Sequence, residues 1–359
     1  HALIRLPALL LFSALSRPAI FHLTNSHKSP TLIIRYEKGW MVERGRTVKS
    51  LLRRTAPFMS LILMAVLLSI LSPYFLSVDN LLAIGLQMSV VAIMAVGQMM
   101  VIISAGIDLS VGSILGLSGM AVTMLLTSGV GIVPAIAVGL LLGLLLGGLA
   151  GGLIAYGHLP PFIATLGMMV IARGAALLLT GGVPVFGLPS SFNFLGGGRL
   201  FNVLPAPVLF TIVIAVAGHF VLTRLSFGRH IFAIGSNETA ARLSGIHVKN
   251  MLIKIYAING VLCAFAGIVL ASRLSSGQPT AGTGYELDVI AACVIGGASL
   301  TGGEGTILGA MIGAMIMGVL RNGCNLLNIS PFWQQIAIGA IIIFAVLSDQ
   351  YRKHRRTRS

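Results

Sequence analysis

The chain has 359 residues, of which 56% are hydrophobic and 9% charged, and its mean hydropathy is +0.96. Soluble domains carry about 25% charged residues, so the composition excludes a soluble globular protein and describes an integral membrane protein. The formal net charge of +15 does not mark a nucleic-acid partner, because the cations gather beside apolar runs, where they act as topology signals.

In chain order, residues 1–40 stand apart. The chain begins with His1, has no acidic residue before Glu37, and breaks its apolar run Ala8 to Leu23 at Arg17 and Pro18. That run is too short and interrupted for a membrane span. Met41 then opens MVERGRTVKSLLRRTAP, a cytoplasmic start ahead of a first span. Residues 1–40 are therefore expected to be a non-native upstream extension or a leader, with a transmembrane domain over 41–349.

Apolar runs of about 20 residues, the length of a helical crossing, fall at 57–76, 80–104, 109–128, 132–155, 160–180, 206–223, 250–272, 286–300, 306–327 and 331–348. The predicted fold is thus an all-α membrane protein of about ten transmembrane helices. The cations orient it. Arg44, Arg46, Lys49, Arg53 and Arg54 precede the first run, Arg224, Arg229, Arg242, Lys249 and Lys254 lie near 224–254, and five more close the basic tail at 350–359. The opposite connections, 181–205 and 273–285, carry only Arg199 and Arg273. Excess Lys and Arg mark the cytoplasmic side, so both termini and the 224–254 island are expected there.

An internal repeat is also expected. Ile107-Asp-Leu-Ser-Val111 is similar to Tyr285-Glu-Leu-Asp-Val289, and a Pro-Phe pair follows each, at Pro161-Phe162 and Pro331-Phe332. The copies lie five runs apart, an odd number, which predicts an inverted 5+5 repeat with a pathway between the halves. Chance likeness among apolar sequences is the alternative. The 44 glycines include rows at 139, 143, 147 and 151 and at 305, 309 and 313. Such spacing serves close helix packing, and a narrow pore wall would look the same.

Charges at membrane depth are expensive and tend to be functional or paired. Asp108, Glu286 and Asp288 either line a polar cavity and hold broken helix ends, or cap helices at the interface. Ser110 and Thr165 are grouped with them as candidates for the translocation pathway. Arg173 and Arg321 either pair with a carboxylate or snorkel to a surface, and snorkelling is favoured. Cys263, Cys293 and Cys324 sit in apolar runs without a CxxC pair, so they read as packing residues and not as metal ligands.

The island from Arg224 to Lys254 interrupts the apolar pattern. Within it, NETAARL (237–243) reads as a short helix capped by Ser236 or Asn237, with Glu238 near its positive end and Gly245 terminating it. A short helix held between two spans is a shape a soluble partner could push on. No catalytic set accompanies it: GGEGTILG at 302–309 lacks the Lys and hydroxyl of a phosphate loop, and no HExxH or nucleophile elbow occurs. The chain is expected to bind no cofactor and to hydrolyse no ATP alone.

AGIDLSVGSILGLSG (105–119), PFIATLGMMVIARG (161–174), GRHIFAIGSNETAARLSGIHV (228–248), SGQPTAGTGYELDVIAACVIGGASLTGG (276–303) and NLLNISPFWQQIAIG (325–339) closely resemble the permease subunits of ribose-type monosaccharide ABC importers. The resemblance spans about residues 50–349, in the same motif order. It implies a multi-pass subunit of the bacterial cytoplasmic (inner) membrane that pairs with itself or a similar permease. It implies two cytoplasmic ATP-binding subunits, which use ATP and Mg, and a periplasmic sugar-binding protein. It further implies that the segment Gly235 to Gly245, within a cytoplasmic coupling loop at 224–250, docks into the ATPase. The coupling residues are then Gly235, Asn237, Glu238, Ala240, Ala241, Arg242, Leu243 and Gly245. Two alternatives stand beside this reading: an ion-coupled secondary transporter, and a permease of a related nucleoside or branched-chain amino acid importer.

Overall fold

The structure, a computed structural model, describes residues 57–200 and 204–357, without the side chains of residues 345, 346 and 348–357. These residues belong to the second of the chain's two units, Leu51–Ser359. The readings of 1–40 as an extension and of the start at Met41 lie outside the described residues, as do the side chains of the cations at 352–358.

Proline and hydroxyl residues set where the helices begin. α1 (Pro57–Leu71) opens on a proline. α2 (Val78–Ile103) is capped by Ser77, whose side chain accepts from the Asn80 amide. α3 (Val111–Thr127) and α4 (Ile132–Ala155) follow, and α5 (Pro161–Leu178) has proline in its first turn, where the missing N–H costs nothing. A 3₁₀ turn and the single-turn α6 (Phe194–Gly197) lead to α7 (Ala206–Arg224). Then come α8 (Ser226–Ser236), α9 (Glu238–Leu243) and α10 (Val248–Leu274). α11 (Tyr285–Ile295), α12 (Ile307–Leu326) and α13 (Pro331–Thr357) complete the order. Four two-residue strands form two antiparallel pairs: β1 (Val185–Phe186) with β4 (Ser276–Gly277), and β2 (Arg199–Leu200) with β3 (Leu204–Pro205). The β1–β4 pair joins the two cation-poor connections on one side of the bundle.

Six of these helices, α2, α4, α5, α7, α10 and α12, are long and apolar enough to cross a membrane. α1, α3 and the apolar part of α13 (Pro331–Phe344) are shorter. α2, α10 and α12 are mostly buried, whereas α4, α5 and α7 turn most of their apolar surface outward, as helices facing hydrocarbon do. The run predicted at 286–300 is the eleven-residue α11. Gly296 and Gly297 stop it: Gly297 takes φ +95°, and the Ala298 amide donates back to the Cys293 carbonyl at 3.0 Å, a glycine-terminated helix end.

The glycine rows resolve as packing surfaces. On α4, a methyl group at Gly143 would stand 2.5 Å from Ala264 Cβ, at Gly147 3.1 Å from Gly260 Cα, and at Gly151 2.8 Å from Ile253 Cα, all on α10. On α12, one at Gly313 would lie 3.0 Å from Ala292 Cα of α11. Lipid offers no hydrophobic drive between helices, so such backbone approach supplies the contact instead. Among the described residues the three cysteines are free, with Cys263 and Cys293 buried.

Candidate functional site

Two chain breaks meet inside the bundle. The first, 104–110, separates α2 from α3. Asp108 lies in it, fully buried. Its Oδ1 accepts from the Ser110 amide (2.8 Å) and Ser110 Oγ (2.6 Å), and its Oδ2 from Asn259 Nδ2 of α10 (2.8 Å). Asn259 also donates to Gln98 Oε1 of α2 at 3.4 Å. Thr165 of α5 donates to the Ile107 carbonyl at 3.2 Å. Asp108, Ser110 and Thr165 therefore hold the break to α10 and α5. All three are 0% exposed, and Ser110 makes no side-chain cap bond to α3.

The second break, 276–284, runs antiparallel along α3. A methyl at Gly277 would stand 2.8 Å from Met120 Sδ, and one at Gly116 2.8 Å from the Ala281 carbonyl oxygen. At its end Gly284, at φ +84°, starts α11. Glu286, in the first turn, reaches the start of α3, where a methyl at Gly112 would lie 2.8 Å from its carboxyl carbon. The N-termini of two short helices thus converge, with Asp108 and Glu286 beside them. Aligned peptide dipoles make such ends electropositive, which favours the neighbouring carboxylates.

The arginines are paired, contrary to the snorkelling expectation. Arg321 donates to Asp288 Oδ2 at 2.5 Å. Arg173 Nη1 donates to the carbonyls of Pro279 (2.9 Å) and Ala281 (2.7 Å), clamping the second break to α5. The Arg321–Asp288 pair is unevenly buried, with side chains 38% and 2% exposed. Losing the arginine strands a buried acid, whereas losing the acid leaves an arginine that is partly exposed. Arg321→Ala is therefore expected to destabilise the detergent-solubilised protein by about 3 kcal/mol, the cost of breaking a buried pair, and Asp288→Ala by clearly less. Equal shifts of the thermal midpoint would refute this asymmetry.

The candidates of the 224–254 island form a separate cluster on α8 and α9. Asn237 caps α9 with its side chain, accepting from the Ala240 amide at 2.9 Å. Glu238 and Arg242 pair at 2.7 Å on an exposed face. Gly245 takes φ +83° and ends the helix, where the Ile246 amide donates to the Ala241 carbonyl. Ala240 is exposed and Leu243 is 86% exposed. Ala241, unlike Ala240, turns inward: it is 3% exposed and packs α9 against its own chain. Gly235 likewise points inward. A methyl there would collide with the Ile103 carbonyl and stand 2.7 Å from the Gly303 amide nitrogen, and Gly303 N itself donates to Ile103 O at 2.9 Å. The end of α8 is thus locked, backbone to backbone, onto the end of α2 and the turn before α12.

Sequence reasoning missed α8, although Phe227, Ile231 and Ile234 carry a helical apolar spacing. It also missed Asn259, a single polar residue in a long apolar run.

The family described as branched-chain amino acid transport system / permease component matches residues 80–346. The ribose import permease protein RbsC of Escherichia coli (strain K12) is 43% identical over 89% of this chain and 97% of its own length. RbsC of Bacillus subtilis (strain 168) is 45% identical over 83% and 93%, and the D-allose transport system permease protein AlsC of Escherichia coli (strain K12) 38% over 82% and 90%. No solved structure matches the chain. Six helices among the described residues are long and apolar enough to cross a membrane, and the relatives that match over most of both chains are named as permease proteins, so the chain is a multi-pass transport component. It belongs to the permease family of ABC importers, among the ribose-type permeases.

Proposed function

We propose that this chain is the translocation subunit of an ATP-driven importer for a monosaccharide, a ribose-like pentose or a hexose. The carrying observation is 43–45% identity over most of both chains to permeases named for ribose, together with 38% identity to those named for D-allose and L-arabinose. The family membership removes the ion-coupled alternative. The family description covers branched-chain amino acid systems as well, but the sugar permeases match over most of both chains.

In this reading ten segments cross the membrane, α1 to α5, α7 and α10 to α13, in two inverted halves with both termini cytoplasmic. The converging N-termini of α3 and α11 support that symmetry, since each opens the second element after the start of its half. Two cytoplasmic ATP-binding subunits hold ATP and Mg, a periplasmic sugar-binding protein delivers substrate, and a second permease completes the pair. Reporter fusions at Gly196 and Gly277 are expected to read periplasmic, and fusions at Asn237 and Ser359 cytoplasmic. A periplasmic signal at Asn237 overturns the topology.

The outer face of α9, with Glu238, Ala240, Arg242 and Leu243, docks into the ATP-binding subunit. Leu243 stands out because an isolated, exposed leucine on a polar helix gains by burial against a partner. Its side chain contributes about 2 kcal/mol when buried, so Leu243→Asp is expected to weaken assembly at least about tenfold. Co-purification of the ATP-binding subunit with the variant measures this. Unchanged recovery removes the α9 face from the docking surface.

A further inference from the structure

The outward side of α4 holds an apolar groove of about 450 Å³. Its walls are the exposed Leu145, Leu149 and Leu153, and its floor is Gly148 and Gly152. These two glycines are not spent on internal packing, as the row at 143, 147 and 151 is. A methyl at Gly152 would meet nothing within 4 Å, and one at Gly148 only Ala257 Cβ at 4.0 Å. From Leu145 to Leu153 the groove rises about 12 Å at 1.5 Å per helical residue. It therefore stays within one leaflet of a hydrocarbon core about 30 Å thick.

One end of the groove is polar and positive. Tyr156, the residue that ends α4, lines it, and Lys249 Nζ of α10 lies 4.8 Å from the centre of the Tyr156 ring. Lys249 is exposed and, among the described residues, forms no ion pair. α10 also starts there without a side-chain cap and without an acid in its first turn, so the positive end of its dipole has no counter-charge. An apolar channel that leads to uncompensated positive charge complements an anionic amphiphile. We infer that the groove binds an anionic phospholipid, with one acyl chain over Gly148 and Gly152 and the headgroup phosphate at Lys249. Basic sites between helices on the cytoplasmic side suit such headgroups, and the inference rests on the cytoplasmic placement of Lys249 in the preceding subsection.

The test uses the chain purified with its ATP-binding subunit in mild detergent. Phosphatidylglycerol or phosphatidylcholine with the same acyl chains is titrated in, and bound lipid is read by native mass spectrometry. Lys249→Gln is expected to weaken the tightest phosphatidylglycerol site about fivefold, the weight of one lysine at an anionic lipid surface, and to leave phosphatidylcholine unchanged. Lys249→Arg is expected to bind as wild type does. Gly148→Leu, which fills the groove from the lipid side, is expected to weaken both lipids. Unchanged phosphatidylglycerol binding in Lys249→Gln overturns the headgroup site, and unchanged binding in Gly148→Leu overturns the groove as the acyl seat. Benzoylphenylalanine in place of Leu149, photolysed in whole membranes, is expected to give a lipid adduct of the chain; a cross-linked protein band in its place overturns the lipid as occupant. A fusion at Asn237 that reads cytoplasmic while the lipid tests fail leaves the topology standing and removes this inference alone.

Discussion

Replacing Gly235 by alanine is expected to lower sugar uptake at least about tenfold while the ATP-binding subunit still co-purifies. The added methyl meets the Ile103 carbonyl and the Gly303 amide. Both are backbone groups, so no side chain can swing aside, and overpacking of this kind costs about 1–3 kcal/mol or more. A barrier raised by 1.4 kcal/mol already slows a step tenfold. The strain is relieved by lifting the end of α8 away from α2. Because Ile103 leads directly into the break that holds Asp108, that displacement severs α9 from the bundle centre. The outer face of α9 is untouched, so docking survives while transmission fails. Gly152→Ala is the matched control, since a methyl there meets nothing within 4 Å. Uptake and ATP hydrolysis measured together in proteoliposomes decide the matter. Normal uptake by an assembled Gly235→Ala complex would show that this junction transmits nothing.

Asp108→Ala is expected to have the largest effect on stability. It leaves two buried donors without an acceptor, the Ser110 amide and Ser110 Oγ, and leaves Asn259 Nδ2 only its longer bond to Gln98 Oε1. Each stranded group costs about 1–3 kcal/mol, so the sum is about 2–6 kcal/mol, a large share of a marginal total. Asp108→Asn keeps one carbonyl acceptor and is expected to fall between wild type and alanine. Thermal unfolding in detergent orders the three proteins. If alanine and wild type unfold together, the network around Asp108 does not hold the break. Asn259→Leu, which removes the cross-link to α10 but leaves both Ser110 bonds, is expected to impair uptake more than it impairs stability.

Much of this protein was legible before any coordinates. The apolar runs located the six long apolar helices, because a bilayer demands about 20 apolar residues in a row and tolerates few charges among them. A cap at Ser236 or Asn237 and a stop at Gly245 follow from local rules of three and four residues, and α9 carries the cap at Asn237 and the stop at Gly245. Ile107–Val111 and Tyr285–Val289, alike in sequence, lie at the starts of α3 and α11, where a methyl at Gly112 would meet the Glu286 carboxyl.

What the runs could not show is which face of a residue is used. Ala240 and Ala241 are adjacent and chemically identical, yet one is exposed and the other buried, because a helix turns its successive residues by about 100° and only packing selects the inner side. Asn259 lies in an otherwise apolar stretch, and its partner Asp108 is 151 residues away. Arg173 and Arg321 looked free to snorkel because their acceptors, the Pro279 and Ala281 carbonyls and Asp288, are not their sequence neighbours. Periodicity and capping act within one or two turns and were therefore decided by the sequence alone. The partners of buried polar groups were decided by the tertiary structure, since desolvation compels each to find an acceptor or donor, and only the fold determines which one lies within 3 Å.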